Sequence, residues 1–226
     1  MPKHGKKYVE VAKHVDSNKA YTIAEAVELV KKSNYTKFDG SVEIAIKTNA
    51  DPKYNDQMIR ATTILPHGVG KTVKIAVFAG EDKAAEAKAA GADIVGTETL
   101  LTDIKAGKFD FDVLITTAEH IRDLAGVAKQ LGPKGLMPSP KAGTVTQNIV
   151  QTVEEFKKGK MEFKLDKTGN INGIVGKVSF DAQKLEDNIT AFLKAVEDNK
   201  PTGIKAKLVR RVVIAPTMGP GIVIAY

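Results

Sequence analysis

The 226 residues carry 34 Lys+Arg against 27 Asp+Glu, a formal net charge of +7, and no cysteine. Disulfides and thiolate metal sites are therefore excluded, and 42% hydrophobic residues is too many for a disordered chain. No apolar run approaches the ~18 residues of a membrane span, and "MPKHGKKYVEVAKHV" lacks the apolar stretch of a secretory signal. The expectation is a cytoplasmic protein with no membrane partner, whose basic balance suits a polyanion or simply a solvated surface.

In chain order, "TIAEAVELVKKS" predicts a helix, with Thr22 as N-cap, Glu25 three residues on, and Ile23, Ala26, Val27 and Val30 at helical spacing. "SVEIAIKTN" alternates like a half-buried strand: Val42, Ile44 and Ile46 on one face, Ser41, Glu43 and Lys47 on the other. A polar loop and a short helix or strand follow, ending at Pro66-His67-Gly68. The middle then changes character. "KTVKIAVFAG", "ADIVG" and "FDVLITT" read as strands. They alternate with helices in "EDKAAEAKAAG", "TETLLTDIKAG" and "AEHIRDLAGVAKQLG", and "VTQNIVQTVEEFKKG" supplies a last helix. That alternation predicts a small parallel α/β unit. After Gly159 the alternating style returns. "KMEFKLDKTGNINGIVGKVSF" gives two strands about a turn at Lys167 to Asn170. "DAQKLEDNITAFLKAVEDNKP" gives an amphipathic helix with Leu185, Ile189, Phe192, Leu193 and Val196 on one face. Strands from Val209 to Ala215 and from Ile222 to Tyr226 close the chain around "PTMGPG".

Neither end segment has enough elements to close a core, whereas the middle has. The predicted fold class is α/β with two domains. Residues 1–67 and 159–226 build a discontinuous α+β sandwich, and residues 68–158 form an inserted Rossmann-like parallel domain. The crossings contain Pro66, Gly68 and Gly70 on one side and Gly159 on the other, residues that permit a hinge. Charge divides along the same cut: the end segments hold 22 basic and 15 acidic residues, and the insert 12 of each. The whole excess of +7 lies in the discontinuous domain, where a polyanion site is to be sought.

Motifs for chemistry are sparse. "GVGKT" at 68–72 imitates a phosphate loop, but that motif needs glycine where Leu65 stands, and a helix rather than a strand afterwards. The insert has Gly80 after its first strand but no dinucleotide fingerprint. His4, His14, His67 and His120 make no close metal-ligand spacing, and no nucleophile and base are visibly paired. "LGPKGLMPSPKAGTV" (131–145) is too rich in proline and glycine for regular structure. It is a braced connection, or a loop whose Lys134 and Lys141 meet phosphate. Phe38 beside Lys37 is either core or a ring on which a base stacks. The "PTMGPG" turn is richer than a hairpin needs. It is either a strained turn over a buried methionine or a small-residue surface that lets RNA approach, with the Thr217 hydroxyl facing a ribose 2′-OH.

"KFDGSVEIAI", "LPHGVGK", "LGPKGLMPSPKAGTV", "DKTGNINGIVGK" and "PTMGPG" occur in one order and spacing over nearly the whole chain. Together they resemble the ribosomal protein one family of the large subunit, in its bacterial form. The resemblance implies two hinged domains and binding without catalysis or cofactor. It implies a ribosome-associated protein, monomeric off the ribosome. Its first domain grips the rRNA of the mobile stalk, and the stalk moves with deacylated tRNA leaving the exit site. Bacterial members also bind their own operon mRNA and repress it. Carried onto this sequence, the RNA face comprises Lys37, Phe38, Ser41 and Glu43, then Lys164, Lys167 and Lys177, with Thr217, Met218 and Gly219 in the terminal turn. Arg211 is included although other members can have a small polar residue there. Glu43 serves only as an acceptor from base amines or ribose hydroxyls. The competing reading is a small-molecule enzyme using the insert, which lacks its phosphate-binding glycines. A third is a generic nucleic-acid module, which calls for more exposed aromatics than a chain with 6% aromatics and no tryptophan offers.

Overall fold

The structure is a computed structural model and describes residues 5–17, 19–204 and 206–226. In chain order the elements are α1 (Lys6–Ala12), α2 (Ile23–Lys32), β1 (Ser41–Thr48), β2 (Arg60–Ile64), β3 (Ile75–Phe78), α3 (Glu81–Ala89), β4 (Ile94–Val95), α4 (Glu98–Lys105), β5 (Val113–Thr116), α5 (Ala128–Lys134), α6 (Ile149–Lys157), β6 (Lys160–Lys164), β7 (Asn170–Lys177), α7 (Ala182–Asp198), β8 (Val209–Pro216) and β9 (Ile222–Ile224). They fold as two compact units, Met1–Gly70 with Met161–Tyr226, and Lys71–Lys160.

The discontinuous unit is built on a four-stranded antiparallel sheet in the order β7-β1-β8-β9. Strand β1 buries Val42, Ile44 and Ile46 and turns Glu43 and Ala45 outward, as its alternation requires. The buried face packs on α2 and α7. Helix α2 begins in a capping box between Thr22 and Glu25 and contributes Ala26, Val27 and Val30. Helix α7 contributes Leu185, Ile189, Phe192, Leu193 and Val196, and all of these join one core. A small second sheet pairs β2 with β6. The β1–β7 register slips between Val42 and Glu43, because Val42 faces Gly176 while Glu43 faces Ile174. Such a bulge re-aims the strand end that follows.

In the insert, β4-β3-β5 form a parallel sheet with helices on both faces. Ile75 and Val77 pack with α3 and α6, and Ala76 and Phe78 with α4 and α5. This α/β architecture, a sandwich from both chain ends with a Rossmann-like insert, is the one the element pattern predicts.

Two local readings are corrected. The helix expected across Ala118 to Gly132 is split: a 3-10 segment, Asp123–Val127, precedes α5. Gly126 sits in the split, and glycine weakens a helix interior by about 1 kcal/mol relative to alanine. The 131–145 stretch is also more regular than its composition predicts. Helix α5 runs through Pro133 to Lys134, and Pro140–Ala142 makes a 3-10 turn.

Candidate nucleic-acid interface

The terminal turn answers to its sequence atom by atom. Gly219 N donates to Pro216 O at 2.8 Å, closing a four-residue turn. Met218 has φ of 68° and is the one non-glycine with positive φ among the described residues. This is the third position of a type II turn, where glycine or asparagine is usual. Gly219 is obligatory for a different reason: a Cβ there would stand 2.5 Å from Pro216 Cγ.

The turn is sewn to the start of β1. Thr217 N donates to Ser41 O at 2.9 Å, Ser41 N donates to Thr217 Oγ1 at 3.0 Å, and Thr217 Oγ1 donates to Ser41 O at 3.1 Å. Lys177 Nζ reaches Ser41 Oγ at 3.0 Å from the end of β7. The strap before β1 is ordered by Asn34, whose Oδ1 accepts from Thr36 Oγ1 at 2.7 Å. From this strap the Tyr35 hydroxyl donates to Met218 O at 2.8 Å. Phe38 and Met218 then face solvent, 57% and 68% exposed. Those values decide against a core phenylalanine and against a buried methionine. The turn is strained, but its methionine is displayed.

In this arrangement the Thr217 hydroxyl donates its proton to Ser41 O. With Ser41 N on one lone pair, one acceptor position remains.

The remaining residues named from the sequence are not all brought together. Lys37, Phe38, Ser41, Lys177, Thr217, Met218 and Gly219 share one end of the sheet. Glu43 lies one outward step along β1, opposite Ala215. Arg211 pairs with Lys47 near the other end of β1, about 20 Å from Ser41 at strand rise. Lys167 lies in the turn between β6 and β7, which adjoins that far end, since Lys47 Nζ donates to Thr168 O at 2.6 Å. Lys164 is exposed on the small second sheet. Asp166 organises the far turn, with Oδ1 accepting from Thr168 N, Thr168 Oγ1 and Asn170 N at 2.7 to 2.8 Å. Desolvation pushes its carboxyl upward, but these donors together hold it below the ordinary aspartate range.

Sequence reasoning missed Tyr35, whose partner is 183 residues away and which shows no periodic signal. It also missed Asn188, fully buried in α7. Asn188 Oδ1 accepts from His67 N at 3.1 Å, and its Nδ2 donates to Gly68 O at 2.9 Å and Val175 O at 2.7 Å. This side chain fixes the first crossing to the outer unit. Gly68, Gly70 and Gly159 all have positive φ, and a Cβ on Gly70 would stand 2.8 Å from Lys177 Cγ. Pro66 precedes His67 there, and His67 Nε2 lies 3.1 Å from Asp187 Oδ2.

Asp112 accepts from Lys71 Nζ at 2.7 Å and Lys74 N at 3.1 Å, and its carboxyl is held low chiefly by the Lys71 hydrogen bond. Lys134 Nζ lies 3.7 Å from the Phe109 ring centre, while Lys141 is exposed. His120 pairs with Asp123, and His4 lies outside the described residues. Among the described residues no cluster of three or more His, Cys, Asp or Glu could hold a metal, and no helix is long and apolar enough to cross a membrane.

Fold and surface together define a class: a two-domain α/β protein, with a Rossmann-like insert interrupting an α+β sandwich that displays a glycine-containing turn beside Lys177. The chain belongs to the Ribosomal protein L1p/L10e family, whose model matches residues 30–220. It is 53% identical over 223 residues to the large ribosomal subunit protein uL1 of Thermosipho africanus, covering 98% of this chain and 96% of that one. It is 50% identical over 222 residues to the protein of the same name from Kosmotoga olearia, at 98% and 96% coverage. With the Fervidobacterium nodosum protein of that name the identity is 52%, at 98% and 95% coverage.

Proposed function

We propose that this chain is a structural constituent of the large ribosomal subunit, acting by binding and not by catalysis. The near-full-length likeness to proteins named for that subunit carries the reading. Its outer unit holds the rRNA of the mobile stalk at the end of the sheet where Lys37, Phe38, Ser41, Lys177 and the Thr217-Met218-Gly219 turn meet. The chemistry there suits folded RNA. Lysines meet phosphates, Phe38 offers a stacking face, and the turn admits a sugar-phosphate chain to close range. Arg211, Lys167 and Lys164 lie too far away for the same contact, and serve a second stretch of RNA. Glu43 beside this cluster accepts from a base amine or ribose hydroxyl.

The test is affinity for the stalk rRNA fragment at near-physiological salt, against unrelated folded RNA of equal length. A nanomolar complex with at least ~1000-fold preference is expected. Equal micromolar binding to both would leave only a basic protein.

Two further roles belong to the same proposal. On the ribosome the protein assists departure of deacylated tRNA, so ribosomes lacking it should release exit-site tRNA at an altered rate. Free, it represses its own operon mRNA, so added protein should lower translation of a reporter carrying that leader. An unchanged release rate or an unchanged reporter would remove the corresponding role.

A further inference from the structure

We infer that Tyr35 is a positioning residue for the candidate RNA face: its hydroxyl latches Met218 into the left-handed conformation that displays it. The inference rests on the proposed RNA-binding function and adds a residue that none of the sequence motifs marks.

The turn carries a local conformational cost. A non-glycine residue at φ of 68° is disfavoured by contact between its Cβ and neighbouring backbone. Such outliers persist where surrounding structure over-determines them. Here the restraints are few and identifiable. Gly219 N to Pro216 O closes the turn, Thr217 and Ser41 anchor its first half, and the Met218 carbonyl is held by Tyr35 Oη at 2.8 Å. The Met218 side chain is 68% exposed, so packing does not hold it. Tyr35 is therefore the side chain that restrains the second half of the turn. It arrives from the strap that also carries Lys37 and Phe38, so one hydrogen bond ties the segment bearing Phe38 to the turn bearing Met218. Ordering them before RNA arrives removes that entropy cost from binding.

Removing the latch should loosen the turn and weaken binding without unfolding the protein. In the full chain, Tyr35→Phe deletes the hydroxyl alone. Exchange of the Gly219 amide should accelerate about fivefold, the effect of losing one neutral hydrogen bond. Amides in the middle of β8 should not change, and affinity for the stalk rRNA fragment should fall by a similar factor. Met218→Gly provides the control. Glycine adopts positive φ freely, so in that background the hydroxyl has little left to hold, and Tyr35→Phe should cost less than twofold in affinity.

Unaltered Gly219 exchange in Tyr35→Phe overturns the latch whether or not RNA binds. Faster exchange with unchanged affinity overturns the positioning role. An equal loss in both backgrounds shows direct contact of the hydroxyl with RNA, and overturns it too. Failure of the wild-type protein to prefer the stalk fragment is a different result. It strikes the proposed function before any variant is made, and the positioning role falls with it, while the exchange measurement still decides whether the latch exists.

Discussion

Replacing Asn188 by leucine tests how the outer unit secures the first crossing. The side chain is fully buried and makes three hydrogen bonds, from His67 N and to Gly68 O and Val175 O. Leucine is close in volume, so cavity and overpacking effects are small, and what remains is three backbone groups deprived of a partner. At about 1 kcal/mol for each, the loss is about 3 kcal/mol. The chain suits the assay: it has five tyrosines and no tryptophan. Tyr8, Tyr21, Tyr35, Tyr54 and Tyr226 all lie in the outer unit, so tyrosine fluorescence during urea unfolding reports on that unit alone. With a slope of about 2 kcal/mol per molar urea, the midpoint should fall by about 1.5 M. Asp187→Asn is the control, since its contact with His67 is half-exposed and such pairs contribute at most about 1 kcal/mol. A midpoint shift for Asn188→Leu no larger than the control's would refute the account of the crossing.

Thr217→Val leaves Ser41 N without its side-chain acceptor, so it should destabilise the outer unit by about 1–2 kcal/mol in the same urea assay. Thr217→Ser should restore most of that, and no difference between the two variants would show the hydroxyl to be idle. A chain with residues 71–160 replaced by a short linker should keep rRNA affinity within about tenfold, because the insert carries almost none of the excess charge. A hundredfold loss in a folded protein would move part of the RNA site into the insert. The low-lying carboxyl of Asp166 predicts a pH dependence. Its folded pKa is depressed, so its stabilisation is complete above the ordinary aspartate range near pH 4 and is lost as pH falls through the folded value. Asp166→Asn should therefore flatten the acid limb of the urea-midpoint profile. Superposable acid limbs would show the carboxylate to contribute nothing.

Element type was legible in the sequence wherever a period was long enough to state it. The alternation of Val42, Ile44 and Ile46, the capping box of Thr22 and Glu25, and the apolar face of α7 each specify local structure through contacts within a few residues. Failures came where local signals conflicted. Gly126 broke a helix that periodicity alone would continue, and Pro133 was tolerated in a helix that composition alone would forbid.

The candidate face is a different matter. The sequence marked Lys37, Phe38 and the Thr217-Met218-Gly219 turn as unusual, but left Phe38 and Met218 undecided between core and surface. Exposure depends on what the other chain end covers, and so do the hydrogen bonds that assemble the turn. Ser41 meets Thr217 across 176 positions, Tyr35 meets Met218 across 183, and Asn188 meets His67 across 121. Strand registry brings these groups together. Registry is set by burying whole faces of β1, β7 and β8 at once, including the one-residue slip at Val42. The chain by itself determined which segments are helix or strand and which turn is rich in small residues. Only the packed sheet decided that the Thr217 hydroxyl is bound to the Ser41 backbone and that Met218 is held out to solvent, because both follow from contacts that no local pattern encodes.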